Sequence, residues 1–417
     1  MRTLYICYFG LREPLVQTQV LPYLRQLARA GIEVNLLTFE PDLKGKWTSE
    51  EVEERRARLQ ADGIRWLSLA YHKRPSVPAT VYDILAGARL AARLVRREGI
   101  EVLHARSHVP VAMALLAQQW TNCRLVFDIR GLMAEEYADA GVWKEGSPPF
   151  RAIKRIERLG IARADQVVVL TRRMRDWLAQ QGLKSAESIE VIPCCVDFSR
   201  FGAVAEANDA LKARADRFEV VYAGSVTGLY MLEEMGRFFM ELKKRQPGAL
   251  LRIMTKSPVT AASAVLSRTG LEAQDFWIGA VEPAEVPEYL GRARLGLSFR
   301  KPTFSQIAAS PTKVPEYLAA GLPVVCNAGI GDTDELLVKE RVGVLVEAFD
   351  GEAYREAARE ALALVNAPEI RTRCMETARR YFDLAGVGGA GYLSVYRRIE
   401  ESDEQKAVGQ REYAVKQ

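Results

Sequence analysis

The stretch from Ser310 to Asp332, SPTKVPEYLAAGLPVVCNAGIGD, brings a lysine, a glutamate and a glycine-bearing turn into one short span. Its pattern predicts a helix that starts after Pro311 and ends at Gly321, then a strand from Pro323 to Ala328. Ser310 and Thr312 are competent N-caps, Pro315 is tolerated only in a first turn, and Gly321 supplies a left-handed C-terminal residue. Lys313 and Glu316 then share one helix face near its start, where free backbone N–H groups and the helix dipole favour an anion. Such a group can hold a phosphate and a sugar hydroxyl. Gly329 and Gly331 in the following turn allow close approach of backbone to that phosphate.

Other candidates converge on the same chemistry. Arg300 and Lys301 end an apolar run, Leu295 to Phe299, just ahead of this stretch. A diphosphate carries about two or more negative charges, so cations at a strand end and a helix start are its expected counterpart. The turn AGSVTG, Ala223 to Gly228, follows another strand, and Gly224 and Ser225 are placed to meet a phosphate there. Asp332 to Asp334 has the D-x-D form of a metal site, but Asp at a helix start is a good cap, and that reading is preferred. No metal site is expected.

In the first half, HARSH carries His104, Arg106 and His108, two of the three histidines in the chain. No partner set with zinc spacing accompanies them, so the choice lies between a helix-capping strand end and a substrate or acid/base role for His104. FDIRGLMAEEY places Asp128, Arg130, Glu135 and Glu136 at a strand end by a glycine turn, suited to sugar hydroxyls or to surface ion pairs. The loop GLREPLVQTQ, with Arg12, Glu13, Gln17 and Gln19, reads equally as an ordinary polar loop or as an acceptor contact, and lacks the G-x-G-x-x-G of a dinucleotide site.

The elements that must position these groups follow from hydrophobic period. Short apolar runs alternate with helical ones: strands are predicted at 3–9, 32–39, 64–69, 102–105, 124–129, 166–170 and 188–192, then at 218–223, 249–254, 275–278, 295–299, 323–327 and 343–346. Helices are predicted near 50–61, 79–97, 109–119, 149–163 and 171–181, and over Glu352 to Glu401. The fold class is therefore α/β, with two doubly wound parallel-sheet domains, 1–200 and 201–384, and ligands at the carboxyl ends of strands in the cleft between them. The residues from 403 to 417 read as a polar, frayed tail.

Composition bounds the rest. A length of 417 residues with 48% hydrophobic content suits two globular domains. No apolar run reaches the roughly 18 to 20 residues of a membrane span, and MRTLYICYFG turns polar too early for a signal peptide. The six cysteines lack C-x-x-C spacing and read as reduced core residues, which predicts a cytoplasmic protein. The positive excess lies in the first 200 residues, where 30 Lys and Arg against 23 Asp and Glu give +7, while the remainder of the chain, 28 against 30, gives −2 and the whole +5. That suits a solvated face, a phosphate-bearing partner or an anionic membrane surface, and the basic helix Arg151 to Arg163 has a core-packed reading ahead of a membrane-surface one. No nucleic-acid motif is present.

SPTKVPEYLAAGLPVV resembles the nucleotide-sugar signature of the GT-B glycosyltransferases of family 4. VVVLTRRMRDWLAQQG with IEVIPCCVDFSRF, and the opening GLREPLVQTQVLPYLRQLARAGIEVNLLTFE, resemble other parts of the same family. The resemblance implies two Rossmann-like domains with a helix near 385–402 returning to the first, which would bind the acceptor. It implies metal-independent, retaining transfer of a sugar from a nucleotide-diphosphate-sugar substrate to a saccharide or lipid-linked saccharide in cell-surface glycan synthesis, with no cofactor. A peripheral contact with the inner face of the membrane stays open. By the same resemblance Glu316 would bind the donor ribose, the backbone of Gly329 to Gly331 the phosphates, and the region of His104 and Asp128, the catalytic candidates, the transferred sugar. Gln17, Arg106, Arg130 and Glu135 are the acceptor candidates. Three positions depart from the family: Ala308 stands where the first glutamate of E-x7-E belongs, Ser225 where an arginine belongs, and Leu229 and Tyr230 near an expected lysine. The diphosphate clamp must then be rebuilt from Lys313, Arg300 or Lys301. A nucleotide-sugar 2-epimerase and a noncatalytic scaffold subunit are the alternatives.

Overall fold

The computed structural model describes residues 1–41, 43, 45, 47–201 and 217–415. Residues just past the expected domain boundary, 202–216, and the last two of the expected tail lie outside them. The chain divides into two units. One comprises Met1–Ala134, Glu145–Ile192 and Ala385–Gln417, the other Glu135–Lys144 and Pro193–Leu384.

The first unit is built on a seven-stranded sheet of β1 (Arg2–Cys7), β2 (Glu33–Glu40), β3 (Ile64–Ala70), β4 (Val102–Arg106), β5 (Arg124–Asp128), β6 (Gln166–Val169) and β7 (Ile189–Val191). Their order is β3-β2-β1-β4-β5-β6-β7, and every pairing is parallel. The central strands are buried along nearly their whole length, as sheets covered on both faces require. The second unit has six strands: β8 (Glu219–Ala223), β9 (Leu250–Met254), β10 (Phe276–Gly279), β11 (Leu295–Ser298), β12 (Val324–Asn327) and β13 (Gly343–Val346). Their order is β10-β9-β8-β11-β12-β13, again all parallel. Its core includes two apolar clusters, one holding Phe238, Phe239 and Phe299, the other Tyr317, Leu318 and Leu337.

Chain order reverses between β1 and β4 in one sheet and between β8 and β11 in the other. At such a reversal the connections leave in opposite directions and open a crevice at the carboxyl ends of the two strands. Gly224 and Arg300 each lie just past the end of a strand flanking the second crevice.

The last helix, Ala390–Val415, continues past residue 402 into the expected tail. The helix after Pro311 spans Lys313–Ala319, but neither expected cap serves it. Thr312 makes no side-chain cap hydrogen bond, and the Ser310 hydroxyl accepts from the Cys194 N–H at 3.1 Å. Asp332 likewise makes no side-chain cap bond to the helix Thr333–Lys339. The C-terminal end behaves as predicted. Gly321 sits at φ 76°, its N–H donates to Leu318 and that of Leu322 to Tyr317, the paired bonds of a Schellman motif. All six cysteines are buried and unbridged. Among the described residues no helix is long and apolar enough to cross a membrane.

Candidate functional site

Lys313 is the most unusual residue of the second unit. It is 4% exposed, and its ammonium lies 4.3 Å from the ring centre of Tyr230 and 4.9 Å from that of Tyr222. The π faces compensate in part for lost water, since they present negative charge to a cation. Burial first, and then the neighbouring Arg300, pull the Lys313 pKa down to about 7, against the pull of Glu316. Arg300 flanks the same Tyr230 ring at 4.9 Å and bonds neutral groups, Gln306 Oε1 at 2.6 Å and the Tyr230 hydroxyl at 3.3 Å. Two cations thus meet around one tyrosine, and the hydrogen bonds that hold Arg300 there come from uncharged partners.

Local structure explains their placement. The Arg300 N–H donates to Asn327 Oδ1 at 2.8 Å, which ties the end of β11 to the end of β12. Tyr230 and Arg300 form an isolated antiparallel bridge that brings the turn after β8 alongside. Tyr317 lies against Gly296, where a Cβ would stand 2.4 Å from its ring, and its hydroxyl accepts from the Ala223 N–H at 2.8 Å. That contact fixes the end of β8, so Gly224, at φ 136°, opens directly onto Lys313. A Cβ there would be 3.5 Å from Lys313 Cε. Ser225 and Lys301 are exposed beside them.

Glu316 keeps 21% of its side chain exposed and accepts from Arg200 at 3.3 Å. Burial raises its pKa, while Arg200 and Lys313 oppose the rise. The glycine turns offer fewer free N–H groups than their sequence suggests. Gly224 donates to Met254, Gly329 to Asp334 Oδ2 at 2.9 Å and Gly331 to Gln306 at 2.8 Å. Ala308, on the short helix Phe304–Ala308, is buried, and the neighbouring Gln306 holds Arg300.

The catalytic candidates belong to the first unit. His104 and Asp128 are both fully buried beneath the last helix. The Tyr392 hydroxyl donates to Asp128 Oδ2 at 2.7 Å, and the Tyr396 hydroxyl lies 3.0 Å from His104 Nδ1 and 2.9 Å from Thr3 Oγ1. His104 Nε2 stands 3.9 Å from Asp128, too far for a hydrogen bond, and makes none. Burial lowers the His104 pKa although Asp128 opposes it, so the ring stays neutral. Burial pushes Asp128 the other way from its charged neighbours, and Arg130 and Arg106, each with a guanidinium nitrogen 3.5 Å away, hold it below the usual carboxylate range. The group bonds the last helix to the ends of β4 and β5. Arg106, 3% exposed, belongs to the same group, and Arg130 lies at its edge. His108 pairs with Glu157 at 2.9 Å across two helices. Gln17 is exposed and bonds the Leu11 carbonyl at 2.5 Å. Glu135 belongs to the segment grouped with the second unit.

Sequence reading missed Tyr222, Tyr230, Gln306 and Arg200 at the cationic site, and Tyr392 and Tyr396 beside Asp128 and His104. Of these, Tyr230 alone carries a signal in the sequence, since with Leu229 it stands near a lysine that the family resemblance implies. Among the described residues no group of three or more His, Cys, Asp or Glu side chains is placed to hold a metal ion.

Comparison with known proteins extends over nearly the whole chain. Residues 16–195 match the glycosyl transferase 4-like domain, and residues 205–381 match glycosyl transferases group 1. Comparison with curated proteins gives no match. Similar solved structures include sucrose-phosphate synthase from Thermosynechococcus elongatus, at TM-score 0.73 and 17% identity over 96% of this chain and 100% of that one. A glycosyltransferase from Rickettsia africae gives 0.67 and 15% over 95% and 98%. Anabaena HepE in complex with UDP and glucose gives 0.63 and 14% over 97% and 99%. At these identities the structures speak to fold, and the family rests on the two consecutive domain matches: the chain belongs to the GT-B glycosyltransferases, with a 4-like first domain and a group 1 second domain.

Proposed function

We propose that this glycosyltransferase takes its sugar from a nucleotide-diphosphate sugar held by the second unit, and passes it, with retention, to a saccharide or lipid-linked saccharide acceptor in cell-surface glycan synthesis. The observation that carries the donor reading is the pair Lys313 and Arg300 around Tyr230, at the crevice between β8 and β11. Two cations held together at a crevice repel one another and are relieved by an anion of two or more charges. The UDP complex of HepE, which shares the fold, supports a nucleotide there.

In this reading Lys313 and Arg300 meet the diphosphate, with Lys301 at the exposed rim and Gly224 and Ser225 leaving room for it. The N–H groups of Gly224, Gly329 and Gly331 already have protein partners. Side-chain cations therefore carry more of the charge stabilisation as the diphosphate leaves. Glu316 receives the ribose hydroxyls, its carboxylate oriented by Arg200. Retention and the acceptor class rest on the family alone, and the first unit supplies the acceptor side.

Calorimetric titration with a panel of nucleoside diphosphates, followed by assays of nucleotide release with saccharide and lipid-linked acceptors, tests this directly. Binding of one nucleoside diphosphate, weakened in Lys313→Ala and in Glu316→Ala, is expected. NMR of the product reports the anomeric configuration and would reveal a free epimerised sugar instead. Absence of binding by every nucleotide sinks the donor reading and favours a scaffold.

A further inference from the structure

Two arginines of the second unit are tied down in opposite ways. Arg252 is held by a carboxylate, its Nε and Nη2 each 2.7 Å from an oxygen of Glu219, so its charge is balanced where it stands. Arg300 is held by carboxamides. Its Nε donates to Gln306 Oε1 at 2.6 Å and its main-chain N–H to Asn327 Oδ1 at 2.8 Å. Gln306 and Asn327 are 0% and 1% exposed, so both are fixed parts of the interior rather than surface side chains swung onto an arginine.

The Gln306 amide is oriented from behind. Its Nε2 donates to the Ser305 hydroxyl at 2.9 Å, itself 3.2 Å from Thr303 Oγ1, which leaves Oε1 to face Arg300. The carbonyl of the same residue accepts from the Gly331 N–H at 2.8 Å. Gln306 thus sets the guanidinium through its side chain and the glycine turn through its main chain. A glutamate has the same length, and the Ser305 hydroxyl can turn to donate to it. As a charged acceptor it would hold the guanidinium about twice as strongly as an amide does. It would also balance the charge that an incoming diphosphate has to find. The carboxamide gives up strength in the tether and leaves the cation uncompensated.

We propose that Gln306 is a positioning residue for the donor diphosphate, holding Arg300 through an uncharged oxygen so that the guanidinium keeps its full charge for the phosphates. The proposal rests on the assignment of Lys313 and Arg300 to that diphosphate, and it reaches Lys313 as well. Arg300 opposes the charged form of Lys313, and a carboxylate at position 306 would offset that opposition.

Calorimetric titration of the wild type, Gln306→Glu and Gln306→Met with the nucleoside diphosphate that the panel selects tests it, and the glucose ester of that nucleotide gives the pH profile. Gln306→Glu should bind about tenfold more weakly. The pH above which its affinity falls should move up by about one unit, because Lys313 keeps its proton longer. Gln306→Met keeps size and neutrality but releases Arg300, and should weaken binding about threefold or more. Arg300→Ala should then cost less in that background than in the wild type, since the two changes remove one interaction. This cycle does not depend on whether Gln306→Glu folds. Unchanged affinity in Gln306→Glu overturns the proposal, as does weaker binding with an unmoved pH profile, or additive losses in the cycle, either of which assigns Gln306 to loop packing. If the wild type binds and Lys313→Ala weakens it while both Gln306 variants bind like the wild type, the donor reading stands and this proposal alone fails. A wild type that binds no nucleotide removes both.

Discussion

Lys313 is held where an isolated lysine is unfavourable, and this makes two predictions. Its folded pKa of about 7 lies below the ordinary value of 10.5, so folding penalises its charged form. The penalty is complete below about pH 7 and is relieved as pH rises from about 7 towards 10.5, because the unfolded chain then binds the extra proton. Lys313→Met should therefore raise the melting temperature at pH 6 more than at pH 9, while weakening nucleotide binding by about 2 kcal/mol, the scale of a charge-assisted hydrogen bond. Thermal unfolding at the two pH values and calorimetric titration with the nucleoside diphosphate that the panel selects check both halves. A bound diphosphate favours the charged lysine, so binding takes up a proton. The dissociation constant of a nucleotide sugar, whose phosphates do not titrate near neutrality, should rise with pH above about 7, by up to about tenfold per unit. Titration in buffers of different ionisation enthalpy reads the proton uptake, and a flat profile would remove Lys313 from the diphosphate.

At the scale of elements, single hydroxyls join segments far apart in the chain. The Tyr317 hydroxyl is the partner of the Ala223 N–H, and Tyr317→Phe leaves that group unsatisfied at the end of β8. A loss of about 1 to 3 kcal/mol is expected in denaturant unfolding, together with weaker nucleotide binding because the Gly224 turn loses its support. Tyr392→Phe removes the 2.7 Å bond to Asp128 and should cost a similar amount with no effect on nucleotide affinity. These bonds also show what a sequence can and cannot tell. All thirteen described strands were legible as apolar runs, and in the central ones burial on both faces leaves a continuous signal at a local scale. Gly321 was legible because only the local backbone decides a left-handed terminus. The Ser310 hydroxyl was not, since a competent cap went to Cys194, far away in the chain. The surroundings of His104 and Asp128 were not legible for the same reason: the side chains that pack on them, Tyr396 and Tyr392, come 292 and 264 residues later. A polar residue at a strand end reads alike whether it meets a substrate or a distant helix.

At the scale of the molecule, the first unit is closed by the chain's last segment. The helix Ala390–Val415 supplies Tyr392 to Asp128, Tyr396 to His104 and Thr3, and Arg398 to Glu190, so it touches β1, β4, β5 and β7. It also packs tightly, for a Cβ on Gly391 would stand 2.9 Å from Ile192 Cγ1. A chain ending at Leu384 should therefore lose the cover over a buried carboxylate and its two arginines, and the first unit should melt well below its normal temperature. The residues assigned to the nucleotide, Lys313, Glu316, Arg300 and Gly224, all lie in the second unit and bond within it. The shortened chain should keep its affinity for the nucleoside diphosphate that the full chain binds within about twofold, and that nucleotide at a hundred times its dissociation constant should stabilise the second unit by about 2.7 kcal/mol, as in the full chain. Scanning calorimetry with and without the nucleotide measures both. If the shortened chain loses nucleotide binding while its second unit stays folded, the nucleotide site needs residues of the first unit, and the assignment to Lys313 and its neighbours alone fails.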